Sequence, residues 1–134
     1  ARHIAERVAA LPKGTLAVHV RRGDHPDSRA ISTTEAFERA MDREAEAPDV
    51  RFFLATDSPS VESRLRKRYG SRVSTYPKRS LRSLDTSHEQ AAIEDAFIDL
   101  LHLAQGYKIL ASFRSSFSEV AALFHGIPKV VIKE

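Results

Sequence analysis

The chain has 134 residues and carries 21 basic against 18 acidic side chains, a net charge of +3. That length fits one domain with a real core, and the small, interleaved charge excess does not by itself announce a polyanion partner. Cysteine is absent, which excludes disulfides and thiolate metal sites, and no apolar run reaches the length of a membrane span.

Taken in order, Ile4, Val8 and Leu11 share a face and predict a short helix over residues 2–11, ended by Pro12 and Gly14. A first strand is predicted over 15–20, apolar enough to be buried on both faces. After a polar loop over 25–29, Ser32 and Glu35 read as a capping box. The helix it opens runs to about Ala45, with Phe37 and Met41 as its core pair. A second strand covers 51–55. Ser58-Pro59 starts the next helix, and Gly70 ends it. A short third strand over 72–76 leads into a loop, 77–85, that holds Lys78, Arg79 and Arg82.

The longest predicted helix opens at Thr86-Ser87-His88-Glu89 and ends at Gln105-Gly106, with Ile93, Phe97, Leu100, Leu101 and Ala104 as its apolar face. A fourth strand follows over 108–112. Ser116 and Glu119 form another capping box for a helix through Phe124, and a fifth strand covers 129–132. Strands alternating with helices predict a Rossmann-like three-layer αβα fold around a five-stranded parallel sheet. The expected strand order is 3-2-1-4-5, with the switch point between strands one and four.

In such a sheet, ligands sit outside the carboxyl ends of the strands. The first strand ends in Val18-His19-Val20-Arg21-Arg22-Gly23-Asp24. Two guanidinium forks suit a phosphate or diphosphate, Gly23 permits a sharp turn, and His19 leans to the same face as Arg21. The plain alternative is that the arginines mark a strand end and pair with Asp24. Thr56-Asp57 ends the second strand. Ser115, Ser116 and Ser118 sit at a helix start, where free N–H groups attract anions, although capping alone accounts for Ser116. Asp95, Asp99 and His102 share a stripe on the long helix. A solvated face is the ordinary reading of Asp95, a cation site is a remote one, and Asp99 can accept from the N–H edge of a guanine. Neither G-x-G-x-x-G nor G-x-x-x-x-G-K-[ST] occurs, so phosphate binding rests on arginines and the serine-rich helix start.

Three stretches together resemble the fucosyltransferase superfamily of nodulation and core α1,6-, α1,2- and protein O-fucosyltransferases. They are Val18–Asp24, Ala55-Thr56-Asp57-Ser58-Pro59, and the run from Ile98-Asp99 through Ser112-Phe113-Arg114-Ser115-Ser116-Phe117-Ser118. The resemblance implies the GDP-fucose-binding, carboxyl-terminal half of a two-domain GT-B glycosyltransferase, with residues 1–134 as one nucleotide-sugar domain. It implies that Arg21 is catalytic, contacting the β-phosphate and stabilising charge on leaving GDP. His19 and Asp99 would hold the guanosine, Ser115 and Ser116 the phosphates, and Asp57 would shape the pocket. Arg22, Gly23 and Ser118 complete the expected substrate-binding set.

The implied transfer is inverting and metal-independent, and needs no cofactor beyond GDP-fucose as donor substrate. The implied partners are that donor, a glycan or protein acceptor, and an amino-terminal acceptor-binding domain missing here. The isolated piece is therefore expected to be inactive. Where the α1,6 enzymes place a glutamate base, this sequence has Arg29, with Asp24, Asp27 and Glu35 as the acids nearby.

Two other readings stand beside it. One is a non-catalytic nucleotide or phosphosugar module. The other is a nucleic-acid domain using Arg64, Arg66, Lys67, Arg68, Arg72, Lys78, Arg79 and Arg82. With no membrane segment or signal in this chain, the expected location is cytoplasmic, or the Golgi or endoplasmic-reticulum lumen for an excised domain.

Overall fold

The computed structural model describes residues 7–21, 32–76, 88–112 and 126–132, with side chains described from residue 95 onward in the third of these segments. Arg22, Gly23, the loops over 25–29 and 77–85, and the serines at 115, 116 and 118 lie outside the described residues.

The strands are β1 (Thr15–Val20), β2 (Arg51–Thr56), β3 (Val73–Ser74), β4 (Ile109–Ala111) and β5 (Lys129–Val131). They form one parallel sheet in the order β3-β2-β1-β4-β5, as expected. The α-helices lying within the described residues are α1 (Thr34–Glu44), α2 (Pro59–Tyr69) and α3 (His88–Leu103).

Every residue of β1 is buried, Thr15 and His19 included, as its place at the sheet centre demands. Strand alternation then sorts the core into two layers. Leu16, Val18, Val20, Phe52 and Leu54 pack with Phe37 and Met41 of α1 and with Val61 and Leu65 of α2. Ala17, Phe53, Ala55, Ile109 and Ala111 pack with Leu100 and Leu103 of α3. No helix among the described residues is long and apolar enough to cross a membrane.

Several local expectations shift. The amino-terminal helix does not reach Leu11: of the described residues only Arg7 is helical, and residues 8–12 are not. Their amides serve another purpose. Ala9 N donates to His102 Nε2 at 3.0 Å, Leu11 N donates to Gln105 Oε1 at 2.8 Å, and Gln105 Nε2 returns a bond to Ala9 O. Donors clipped to the end of α3 cannot close helical turns.

The cap of α1 is Thr33, whose hydroxyl accepts from Ala36 N at 3.1 Å. Ser32 instead donates to Ile132 O across the sheet edge. The cap of α2 is Ser58, as expected, with Pro59 in the first turn.

The long helix is turned relative to its predicted face. Phe97 is 46% exposed, whereas Ile98 and Leu103 are fully buried. Asp95, 2% exposed, lies inside with Asp99 and His102 rather than on a solvated face. The partners of that buried stripe explain the turn. Arg7 donates to Asp95 Oδ1 at 3.1 Å and also to the Tyr76 hydroxyl. His102 is sandwiched, with its ring centroid 4.7 Å from Phe53 and 5.9 Å from Tyr76.

Candidate functional site

β1 is the central strand, flanked by β2 and β4, so its carboxyl end opens on the crevice where the strand order reverses. His19 is on the last rung toward that edge on the α3 side. Its register partners are Ala55 on β2 and Ala111 on β4. Two alanines beside one imidazole leave the space above that rung to the histidine, which is 9% exposed. Arg21 follows one alternation later, on the same face and half-buried. Both residues thus stand at the carboxyl end of β1.

The backbone at this edge is held by side chains. Thr56 Oγ1 donates to Val20 O at 2.7 Å and accepts from Ser58 N at 3.2 Å. Ser112 Oγ accepts from Arg21 N at 2.9 Å, and Ser112 N donates to His19 O at 3.1 Å. Asp57 is exposed, one residue past β2, and so stands at the same edge. Asp99 is buried on α3, the helix that packs on β1 and β2. The structure thus brings His19, Arg21 and Asp57 to the carboxyl edge and puts Asp99 in the layer that covers it.

The role of Ser112 was not read from the sequence. The signal was available: a serine directly after a buried strand, at the predicted switch point, has a hydroxyl that must find a partner.

The remaining stripe residues are committed to structure. With Nε2 of His102 accepting from Ala9, its Nδ1 carries the proton and donates to Ile98 O at 2.9 Å. Burial holds this imidazole below its ordinary value, partly opposed by the Ile98 carbonyl. Both ring nitrogens and one Asp95 oxygen are therefore engaged. Among the described residues no group of three or more His, Asp or Glu side chains is placed to hold a metal ion.

Two basic residues of α2 face acids of α1. Arg64 bonds Glu38 and Glu35, and Arg68 bonds Asp42. The Arg68 hydrogen bond holds the Asp42 carboxyl below the usual range, against the opposing effect of burial. Arg66 pairs with Glu62 and donates to Thr75, while Arg72 donates to the carbonyls of Ala45, Ala47 and Val50. Arg64, Arg66, Arg68 and Arg72 are thus engaged within the chain, which leaves these four less to offer a polyanion. Glu35, one acid weighed as a base, is turned to Arg64 in the layer opposite α3.

An open groove of about 500 Å³ lies at the other end of the sheet, beside Gln105, Gly106, Tyr107, Gly126 and Pro128. Among the described residues it is lined by no carboxylate, imidazole or basic group.

A parallel sheet in this order, with a histidine and an arginine at the open end of its central strand, defines a Rossmann-like α/β domain. Among solved structures it is similar to fucosyltransferase NodZ from Bradyrhizobium, at 26% identity over 92% of this chain and 41% of that one, with a TM-score of 0.64. A NodZ alpha-1,6-fucosyltransferase soaked with GDP-fucose matches at 27% identity over 91% of this chain and 41% of that one, with a TM-score of 0.61. POFUT1 in complex with GDP matches at 12% identity over 98% of this chain and 44% of that one, with a TM-score of 0.58, a likeness of fold alone. The chain therefore spans about two-fifths of the length of these proteins. No family model matches it, and no curated protein does. The resemblance to the fucosyltransferase-like superfamily, read from three motifs, is borne out by the NodZ structures.

Proposed function

We propose that the chain is the donor-binding part of a fucosyltransferase-like glycosyltransferase, which holds GDP-fucose at the carboxyl edge of the sheet. The observation that carries this reading is the likeness to NodZ, which extends over nine-tenths of the chain and includes a structure soaked with GDP-fucose. The position of His19 and Arg21 at the open end of β1 supports it.

In this reading Arg21 sides with the diphosphate. Its fixed positive charge stabilises the charge that grows on GDP as the bond to the sugar breaks. His19 and Asp99 address the guanosine and Asp57 the pocket wall. Arg22, Gly23 and Ser115, Ser116 and Ser118 complete the phosphate cradle. The transfer is inverting, uses no metal, and delivers fucose to a glycan or protein hydroxyl held by a further domain.

A second reading, a nucleotide-sugar-binding module without transfer, is favoured by one observation. Glu35 is spent on Arg64 rather than turned toward His19 and Arg21.

Thermal unfolding with GDP, GDP-fucose, UDP, ADP and NAD tests the donor reading, because a ligand that binds only the folded chain raises its midpoint. Shifts with GDP and GDP-fucose, absent with UDP and ADP, are expected. Arg21→Ala is expected to weaken GDP binding by roughly 2 kcal/mol, about 30-fold, with the fold intact. Equal shifts with every nucleotide would reduce the site to a general anion site, and no shift would remove the reading.

A further inference from the structure

One peptide unit at the candidate site is gripped from both sides. It joins Val20 to Arg21. Its carbonyl accepts from Thr56 Oγ1 at 2.7 Å, and its N–H donates to Ser112 Oγ at 2.9 Å. One hydroxyl comes from the end of β2 and the other from the residue after β4, the two neighbours of the central strand.

The location matters. The β1–β4 register ends at His19 with Ala111, so by Arg21 the backbone ladder on that side has stopped. Past the last rung a strand end is ordinarily free to turn its peptide planes. Here the Ser112 hydroxyl replaces the missing carbonyl as acceptor. Each of the two residues is itself held. Ser112 N donates to His19 O, and Ser58 N donates to Thr56 Oγ1. Ser112 is fully buried, so water does not compete for its bond. Thr56 is β-branched and stiff at χ1, and its one oxygen serves as donor to Val20 and acceptor for Ser58. The two residues that bracket Asp57 are thereby tied to the end of β1.

We propose that Ser112 and Thr56 are positioning residues for Arg21. By fixing the plane of the Val20–Arg21 peptide they set the direction in which the Arg21 side chain leaves the sheet edge, toward the donor's diphosphate. The inference rests on the donor-binding reading above. A guanidinium clamp gains its strength from alignment, and a peptide that can rotate forfeits it.

The test uses the whole chain with GDP as probe. Its variants are Ser112→Ala, Thr56→Val, the hydroxyl-retaining Ser112→Thr and Thr56→Ser, Arg21→Ala, and the double variant of Arg21 and Ser112. Two readouts are taken. The first is hydrogen exchange at the Arg21 amide, measured without ligand. The second is GDP affinity by calorimetry, at a temperature where every variant is folded.

Ser112→Ala is expected to speed exchange at Arg21 while the amides of Val18 and Leu54 stay protected. It is expected to weaken GDP binding about 5- to 10-fold, a loss of the size of one buried hydrogen bond. In the Arg21→Ala background the same change is expected to shift affinity less than about twofold, because Ser112 acts through Arg21. Ser112→Thr is expected to restore both readouts. If Thr56→Val does not fold, the Ser112 series decides alone.

Unchanged GDP affinity in Ser112→Ala, or an equal loss with and without Arg21, would overturn the positioning role and leave the donor reading standing. Failure of the unaltered chain to bind GDP would overturn the donor reading, and the positioning role with it.

Discussion

Gly106→Ala should destabilise this chain far more than a buried methyl ordinarily does. Gly106 lies between the end of α3 and β4, pressed against β1. A Cβ built there would stand 2.9 Å from both Ala17 Cβ and Ala17 N, and 3.2 Å from Lys108 O. Two of those three atoms are backbone and cannot swing aside. They also hydrogen-bond each other, Ala17 N to Lys108 O at 2.9 Å, and Tyr107 N donates to Thr15 O at 3.1 Å. Relief therefore requires the segment over 106–108 to back away from β1.

Overpacking of this kind costs about 1–3 kcal/mol, and each loosened hydrogen bond about 1 kcal/mol more. The gain from a stiffer unfolded chain offsets less than about 1 kcal/mol. A net loss of about 3 kcal/mol follows, or roughly 10–15 °C in unfolding midpoint for a domain of this size. Urea denaturation with thermal unfolding checks it. Gly70→Ala is the control. Gly70 sits at φ +61° with nothing within 4 Å of the added carbon, so its cost is conformational, about 1–2 kcal/mol. Asn should not recover that loss at Gly70, whose ψ of −133° lies outside the left-handed helical region that asparagine tolerates, and should deepen the loss at Gly106. A Gly106→Ala chain within about 1 kcal/mol of the parent would refute the packing argument.

Other consequences follow from the same contacts. Arg72→Ala removes the fork that holds the carbonyls of Ala45, Ala47 and Val50. It should cost about 2 kcal/mol in urea, and Arg72→Lys should recover less than half, because an ammonium cannot span the three acceptors. His102 is held neutral by burial, with its pKa lowered from 6.5. The unfolded chain then takes up the proton first, so stability is fullest above about pH 6.5 and is lost as pH falls toward the folded value. His102→Gln should flatten the urea midpoint between about pH 7 and 5; an unaltered slope would clear His102 of the effect. The Arg68 and Asp42 side chains are each 45% exposed, so Arg68→Ala should leave the midpoint near the parent's, with any loss shrinking as salt rises.

The sheet was legible because its strands are short apolar runs cut by strong turn and capping residues. Ser58-Pro59 and Gly70 bound α2 where expected. Strand alternation alone placed His19 and Arg21 on one face. What the sequence hid were tertiary bargains. The Arg2–Leu11 periodicity resembles a helix, yet His102 and Gln105 recruit the amides of Ala9 and Leu11. The polar stripe of α3 looked solvated because Asp95 and His102 are polar. Their partners, Arg7 and Tyr76, lie 88 and 26 residues away in sequence and show no local signal. Ser32 looked like a cap but bonds a carbonyl 100 residues on, and the cap fell to its neighbour Thr33.

The proposed function requires that a nucleotide sugar bind at the carboxyl edge of β1. Titrating GDP into the isotopically labelled chain and following its backbone amide resonances tests this directly. The predicted result is saturable shifts at His19, Arg21, Thr56, Asp57, Ser58 and Ser112, at the carboxyl ends of β1, β2 and β4. Saturable shifts at Gln105, Gly106, Tyr107 and Gly126, at the groove on the opposite end of the sheet, would contradict it, as would no shift at all.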